Sequence, residues 1–277
     1  MSCYRQAVSI LVLVTLAGQA SAAEFGGIRE LFVGPSIAYF HWQESVEGQQ
    51  ILTEQGPLYG VDGTIALDLL KTEQAGALTL KAKVGVFGGL VYYDGQTQAP
   101  HNLPVKTDVI YIGSKEEIAL GWAIPLGDSY LEPFAGFGYR WWMRDLQDST
   151  TRNGTSVVKV SGSTEVWESA YTKLGAVLSL PLTKDWRIFV EGGGKYPFYN
   201  RNSSDVAGYG DLTVSPEPRW SAFAELGARS KTLRPALFYE GYRTGQSPIV
   251  RISSTTGVYQ PKSDEDVVGV SFSYCFR

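Results

Sequence analysis

The C-terminal segment, residues 266–277, alternates between bulky apolar side chains and small side chains. Val268, Val270, Phe272, Tyr274 and Phe276 share one parity, and the residues between them are small and mostly polar. Because successive side chains of a β-strand point to opposite faces, this pattern predicts a strand with one bulky apolar face. Such a face either packs against a second sheet, as in a soluble sandwich, or faces lipid, as in a membrane barrel.

Nine further segments with the same alternation precede the C-terminal one. The ten predicted strands cover residues 31–42, 58–69, 78–93, 109–124, 130–144, 167–180, 186–199, 219–229, 236–244 and 266–277. The fourth strand is irregular, because Ser114 and Glu116 interrupt its apolar parity. That part of the strand either stands above the lipid or contains a β-bulge.

The connections between the predicted strands alternate in length. Those at 71–76, 125–128, 181–185 and 230–234 are short, whereas those at 43–57, 94–106, 145–165, 200–218 and 245–264 are long and polar. Short turns at one end and long loops at the other are typical of transmembrane barrels, with the short turns on the periplasmic side. The sequence therefore predicts an all-β fold, a ten-stranded antiparallel up-and-down transmembrane β-barrel. Two long loops are expected to contain hairpins, one turning at Asn153-Gly154 and one pairing 249–252 with 257–259.

The N-terminus has the pattern of a secretory signal peptide. Arg5 supplies a positive charge, residues 7–16 are apolar, and Ala20, Ser21 and Ala22 are small residues before a cleavage site. The apolar stretch is too short to span a bilayer as a helix. We expect residues 1–22 to be a signal peptide and residues 23–277 to form one outer-membrane β-barrel domain.

Composition excludes several other classes of protein. The formal net charge of -4, without a basic cluster, argues against a nucleic-acid binder. Cys3 lies in the signal peptide, so Cys275 alone cannot form an intramolecular disulfide. A mean hydropathy of -0.09 argues against a helical membrane protein but is compatible with a barrel, whose polar residues face its lumen.

The tryptophans lie near the ends of the predicted strands and not at their centres. A sandwich would tend to place tryptophan in the middle of its core, whereas membrane barrels carry aromatic girdles at both interfaces. The predicted aromatic girdle contains Trp42, Trp122, Trp141, Trp167, Trp186 and Trp220.

Charged residues opposite the apolar faces are predicted to line the lumen. The predicted lumen network contains Asp62, Lys81, Lys83, Glu132, Arg140, Lys173, Glu191, Lys195, Arg219, Glu225, Arg229 and Glu240. Buried charges must be paired and hydrogen-bonded, so we interpret this set as a salt-bridge network that fills the barrel. Barrels of about eight strands are filled by side chains and those of about sixteen hold a channel, so ten strands predict a narrow or closed pore.

Catalytic signals are weak. The single candidate is His41, which is close in sequence to Glu44 and Ser45, although triads are assembled in space and not by adjacency. The strand count resembles that of the omptin outer-membrane proteases, which use an Asp-x-Asp pair facing an Asp-x-His pair. This chain has Asp264-Glu265-Asp266 but no Asp-x-His. Two separated histidines and one mature cysteine give no metal-ligand spacing, so we expect no metal and no cofactor.

The strand pattern over residues 31–276 resembles small OmpA-type barrels of bacterial outer membranes. The aromatic end of the chain resembles their C-terminal strand, although Arg277 follows the last aromatic residue. This resemblance implies a monomer in contact with outer-membrane lipid and lipopolysaccharide, assembled by barrel-assembly machinery that recognises the C-terminal strand. We expect a non-enzymatic structural or surface-interaction protein. A narrow porin-like channel and an outer-membrane hydrolase or acyltransferase are the alternatives.

Overall fold

Ten long antiparallel strands close into one barrel in the computed structural model, which describes residues 26–72, 76–97, 102–206, 210–254 and 256–276. The expected signal peptide, residues 1–22, lies outside the described residues. Within the described ranges, no helix is long and apolar enough to cross a membrane.

The described residues form fifteen strands, of which ten build the barrel wall. The strands are β1 Gly26–Val46, β2 Gln49–Thr72, β3 Gly76–Gln96, β4 Pro104–Leu126, β5 Ser129–Leu146, β6 Ser149–Asn153, β7 Ser156–Val160, β8 Thr164–Pro181, β9 Arg187–Val206, β10 Gly210–Val214, β11 Ser221–Arg229, β12 Leu233–Thr244, β13 Val250–Arg251, β14 Gly257–Val258 and β15 Lys262–Cys275. Around the barrel the order is β1-β2-β3-β4-β5-β8-β9-β11-β12-β15, and β15 pairs with β1 to close it. The predicted ten-stranded barrel is confirmed.

The pairing register fixes the tilt of the strands. Following paired residues from Ser36 through β2, β3, β4, β5 and β8 leads to Asn202 of β9. Following them the other way, through β15, β12 and β11, leads to Phe189 of the same strand. The end points are roughly a dozen residues apart, which corresponds to strands tilted by about 40° from the barrel axis.

One face of the wall carries an apolar band. The large exposed apolar side chains alternate with buried ones along each strand, and they include Val33, Ile37, Val61, Val84, Ile118, Leu120, Phe137, Leu174, Val190, Leu226, Leu237, Val268, Phe272 and Tyr274. Because the other parity faces a closed lumen, this band is the outer surface of the barrel. A continuous apolar band around a closed barrel is the surface that faces lipid.

The wall continues beyond the apolar band at the long-loop end. Residues 43–57 were expected to form a long loop, and this prediction is wrong. β1 and β2 stay paired up to Val46 and Gln49 and are joined by Glu47 and Gly48, which both have positive φ, 51° and 82°. Positive φ at two central residues is the type I′ hairpin turn. Polar side chains replace apolar ones on the outer face here, so the sequence looked like a loop.

Two hairpins extend from the long loops, as predicted. β6 pairs with β7 around Gly154, and β13 pairs with β14 through Val250 and Val258. A third extension was not predicted: β9 continues to Val206 and pairs with β10.

The irregular part of β4 contains no bulge, since its pairing with β3 and β5 shows no register shift. Glu116 faces outward beside Tyr139.

Candidate functional site: the barrel lumen

Ion pairs that join opposite walls fill the middle of the lumen. Lys81 and Lys83 of β3 contact the Glu191 carboxylate of β9, with Nζ–Oε distances of 3.2 and 3.0 Å. Lys83 Nζ also lies 3.3 Å from Glu225 Oε2 of β11, and Arg234 lies 2.7 Å from the other oxygen of that carboxylate. The two lysines connect β3 with β9 and β11, strands that do not pair with β3, so their contacts cross the lumen, whereas the Arg234–Glu225 pair joins the neighbouring strands β12 and β11.

A second layer of ion pairs lies beside the first. Lys173 Nζ lies 2.7 Å from Glu117 Oε2, and the Tyr171 hydroxyl donates to Glu117 Oε1 at 2.8 Å. Lys115 and Lys195 share the carboxylate of Glu240, with Lys115 Nζ 2.9 Å from Oε1 and Lys195 donating to Oε2. The second layer therefore connects β4, β8, β9 and β12.

The Arg140–Glu265 pair has the geometry of a strong ion pair. Two parallel hydrogen bonds of 2.7 Å join the guanidinium of Arg140 to the carboxylate of Glu265, and the two side chains are 3 % and 4 % exposed. The guanidinium carbon lies 4.2 Å from the ring centre of Trp142 and 4.1 Å from that of Tyr242. Bidentate pairing and two aromatic faces hold Arg140 in one orientation.

An aromatic layer closes the extracellular end of the lumen. The rings of Trp142 and Trp167 are stacked with centres 5.3 Å apart, and Trp42 meets Trp167 edge-on at 5.1 Å. Arg144 lies beside this layer and donates to Glu54 at 2.8 Å through Nε and to Glu165 at 2.7 Å through Nη1.

The last long loop crosses above this aromatic layer. The side-chain amide of Gln260 donates to Glu44 at 2.6 Å and accepts from Asn202 at 3.0 Å. Its backbone pairs with Ser247, whose N–H donates to the Gln260 carbonyl at 2.9 Å. Gln260 and Ser247 are both buried, so the loop between β12 and β15 is anchored over the mouth of the barrel.

Two cavities within this packing are small. One of about 70 Å³ is lined by Asp62, Lys115, Arg140, Glu240 and Tyr242 among others. The other has a volume of about 10 Å³. Volumes of this size accommodate one to a few water molecules and are too small for solutes to pass through.

Most residues of the predicted network lie inside the barrel in ion pairs. These are Lys81, Lys83, Glu132, Arg140, Lys173, Glu191, Lys195, Glu225, Arg229 and Glu240. Asp62 lines the larger cavity and forms no ion pair with another described residue.

Arg219 was predicted to face the lumen, and this prediction is wrong. It lies 2.9 Å from Asp264, which points outward because its neighbour Glu265 points inward. Arg219 precedes β11, so the parity of that strand does not extend to it.

Two tryptophans of the predicted girdle are inside the barrel. Trp42 and Trp167 are each 1 % exposed and belong to the aromatic layer, so their placement at the membrane interface is wrong. The position of a residue along its strand gives the height of the side chain along the barrel axis. The parity of the residue determines whether the side chain faces the lumen or the outer surface, and both tryptophans have the parity of the lumen. Trp122, Trp141 and Trp186 have outward parity, and Trp220 is 62 % exposed on the outer surface.

The residues around His41 do not form a catalytic arrangement. His41 lies between the inward side chains of Phe40 and Trp42, so it faces outward, opposite Asp266 of β15. Glu44 is buried on the inner face and Ser45 lies on the outer one, so the three candidates do not share a face. His101 lies outside the described residues. No group of three or more His, Cys, Asp or Glu residues in the described part of the chain could hold a metal ion.

Several lumen residues were missed by the sequence reasoning. They include Glu54, Lys115, Glu117, Glu165, Arg234 and Glu265. A signal existed for Lys115 and Glu117, which have the inner parity of β4, but the polar residues Ser114 and Glu116 obscured that parity. Glu54 was assigned to a loop.

Comparison with solved structures identifies the fold. The outer membrane protease OmpT from Escherichia coli superimposes with a TM-score of 0.55 at 10% identity, covering 92% of this chain and 99% of that one. The translocator domain of the autotransporter NalP from Neisseria meningitidis gives 0.42 at 14% identity, covering 96% and 94% of the two chains. No protein-family model and no curated protein sequence matches the chain. At these identities the likeness shows the fold alone. Together with the apolar band, the likeness to OmpT gives this chain the fold of bacterial outer-membrane β-barrels.

Proposed function

We propose that this outer-membrane β-barrel is a non-enzymatic structural and surface-interaction protein with a sealed lumen. The observation that carries the proposal is that ion pairs and the aromatic layer occupy the lumen at several levels. Removing one partner from a buried ion pair costs about 3–5 kcal/mol because the other charge is left uncompensated, so a conducting path that disrupts several pairs is unfavourable. The extended wall and its hairpins then provide the surface for extracellular contacts.

A narrow channel is the second candidate, and the cavity beside Asp62 is the observation that favours it. The Asp62 carboxylate has no ion-pair partner in the described chain and lies next to a space of about 70 Å³, where a small hydrated cation would fit. For that ion to pass, the Arg140–Glu265 pair and the aromatic layer would both have to move. We therefore rank the sealed lumen above the channel.

The enzyme alternative rests on the fold shared with a protease. His41 is its best candidate, but it faces outward and its neighbours Glu44 and Ser45 lie on different faces. We propose that His41 is an interface residue. Replacing it by alanine is expected to leave peptide cleavage and lipid A modification at the wild-type level, whereas loss of either activity would establish an enzyme.

Lipopolysaccharide is the proposed lipid partner. Arg219, Arg243 and Lys262 surround the Asp264 carboxylate on the outer face, at 2.9, 3.6 and 3.7 Å. Three cations around one carboxylate leave an excess of positive charge, although Asp266 also pairs with Arg243. The exposed Trp220 next to Arg219 provides an aromatic anchor at the same height. We propose a monomer, assembled through recognition of the C-terminal strand β15.

Liposome swelling tests the sealed lumen. The purified barrel is reconstituted into liposomes, and swelling is followed in iso-osmotic solutions of small sugars and amino acids. We expect the swelling rate of protein-free liposomes, while an open porin reconstituted in parallel gives the rate of a permeable barrel. Size-dependent swelling well above the protein-free rate would refute the sealed lumen and support the channel.

A further inference from the structure

Three guanidinium groups surround one phenol ring at the periplasmic mouth of the lumen. The guanidinium carbons of Arg29, Arg187 and Arg229 lie 5.5, 5.7 and 5.7 Å from the ring centre of Tyr130. These residues come from the ends of β1, β9 and β11 that lie on the short-turn side, and Tyr130 comes from the matching end of β5. Three guanidinium groups therefore converge on one point of the periplasmic opening.

Two of the three guanidinium groups have carboxylate partners and the third does not. Arg29 lies 2.8 Å from Asp68 and 2.7 Å from Glu132, and Arg229 contacts Glu30. Arg187 has no carboxylate within ion-pair distance among the residues that the structure describes. It donates only to uncharged oxygens, through Nε to Ser179 Oγ at 3.1 Å and through Nη2 to the carbonyls of Asp128 at 2.8 Å and Ser179 at 3.2 Å.

Arg187 is an exception among the cations of the lumen. Within the described ranges, every other inward-facing lysine or arginine has a carboxylate partner, namely Arg29, Lys81, Lys83, Lys115, Arg140, Arg144, Lys173, Lys195, Arg229 and Arg234. A partly buried charge without a counter-ion is costly. In a membrane protein such a residue is a candidate functional site by default.

The hydrogen bonds of Arg187 also hold its guanidinium ready for a ligand. Nε and Nη2 are fixed by Ser179 and Asp128, and no described acceptor bonds Nη1. A guanidinium presents its donors in a rigid fork that matches the oxygens of a phosphate group. The neighbouring Trp186, which directly precedes β9, is a residue type that marks the membrane interface. Dissolved phosphate and phospholipid headgroups are both present at that level.

We infer that Arg187, which lies beside the carboxylate-paired guanidinium groups of Arg29 and Arg229, forms a phosphate-binding site at the periplasmic mouth of the barrel. The ligand is a phosphate group, either of a small periplasmic solute or of a phospholipid headgroup of the periplasmic leaflet. Binding supplies the counter-ion that the described chain does not provide. This site is independent of whether the lumen conducts.

Calorimetric titration tests the site. Sodium phosphate is titrated into the folded barrel in a non-ionic detergent, with sodium chloride keeping the ionic strength constant. We expect saturable binding by the wild type and an affinity lower by about tenfold or more in Arg187→Gln. Lys184→Gln removes an exposed charge from the same turn and is expected to bind as the wild type does. Arg187→Lys keeps the charge without the fork and should also bind more weakly than the wild type.

A second titration in nanodiscs of phosphatidylglycerol identifies the source of the phosphate. If the headgroup occupies the site, dissolved phosphate competes with it and its apparent affinity falls relative to detergent. If the site takes a solute, the two affinities agree. The inference is overturned if the folded wild type shows no saturable phosphate binding in detergent. It is equally overturned if Arg187→Gln and Arg187→Lys, both folded, bind phosphate as tightly as the wild type.

Discussion

Replacing Arg140 by alanine is expected to destabilise the barrel by about 3–5 kcal/mol, the cost of removing one partner from a buried ion pair. Both hydrogen bonds of 2.7 Å to Glu265 are lost, and the Glu265 side chain, 4 % exposed, keeps a buried charge without its partner. The contacts of the guanidinium with the rings of Trp142 and Tyr242 are lost as well.

The loss in the free energy of unfolding should come more from the unpaired charge of Glu265 than from the lost contacts of the Arg140 side chain. Replacing both partners, as in Arg140→Met with Glu265→Leu, removes the charge together with its counter-ion. We therefore expect the double variant to be more stable than Arg140→Met alone. Arg201→Ala is the matched control, because Arg201 contacts Glu168 at 3.4 Å on the exposed outer face. Such a surface pair contributes about 0–1 kcal/mol.

Urea unfolding of the barrel in phosphatidylcholine vesicles, followed by tryptophan fluorescence, measures these differences. The cycle of Arg140→Met, Glu265→Leu and the double variant gives the coupling free energy directly. The reasoning is refuted if Arg140→Ala loses no more stability than the Arg201 control. It is also refuted if the double variant is less stable than Arg140→Met.

Further outcomes follow from other contacts. Gly138→Ala should destabilise the folded barrel by about 1–3 kcal/mol in the same unfolding assay, because the new Cβ would lie 2.3 Å from the Tyr171 ring. Trp167→Ala should cost about 3–5 kcal/mol, as for a buried aromatic side chain, whereas Trp220→Ala should cost clearly less because its ring is exposed on the outer surface; equal losses would contradict the assignment of faces. His41→Ala should leave peptide and lipid A turnover by membranes unchanged, and mass spectrometry of both substrates would detect a difference.

The parts of the fold that could be predicted from the sequence are those that local alternation determines. Period-2 alternation gave the ten strands, the closure of β15 on β1 and the apolar face that includes Val268 and Phe272. The parity of a segment also specified the inner position of Lys81, Glu191 and most of the charged lumen residues. All these features follow from the fixed direction of successive side chains.

The remaining features depend on geometry that no local pattern contains. Which charges meet across the lumen, as Lys83 and Glu225 do, is set by the strand tilt and by the barrel radius. The upper ends of β1 and β2 were missed because polar side chains on the outer face of a strand beyond the membrane resemble those of a loop. Trp167 was misplaced for a different reason, because a tryptophan near a strand end was assigned to the interface without regard to its parity.

Single-channel recording in planar bilayers tests the sealed lumen most directly. The filled lumen predicts no stable current steps from the reconstituted wild-type barrel at moderate voltage, in either orientation. Reproducible steps of one conductance, with an ion selectivity that changes in Asp62→Asn, would contradict the sealed lumen and establish a channel through the cavity beside Asp62.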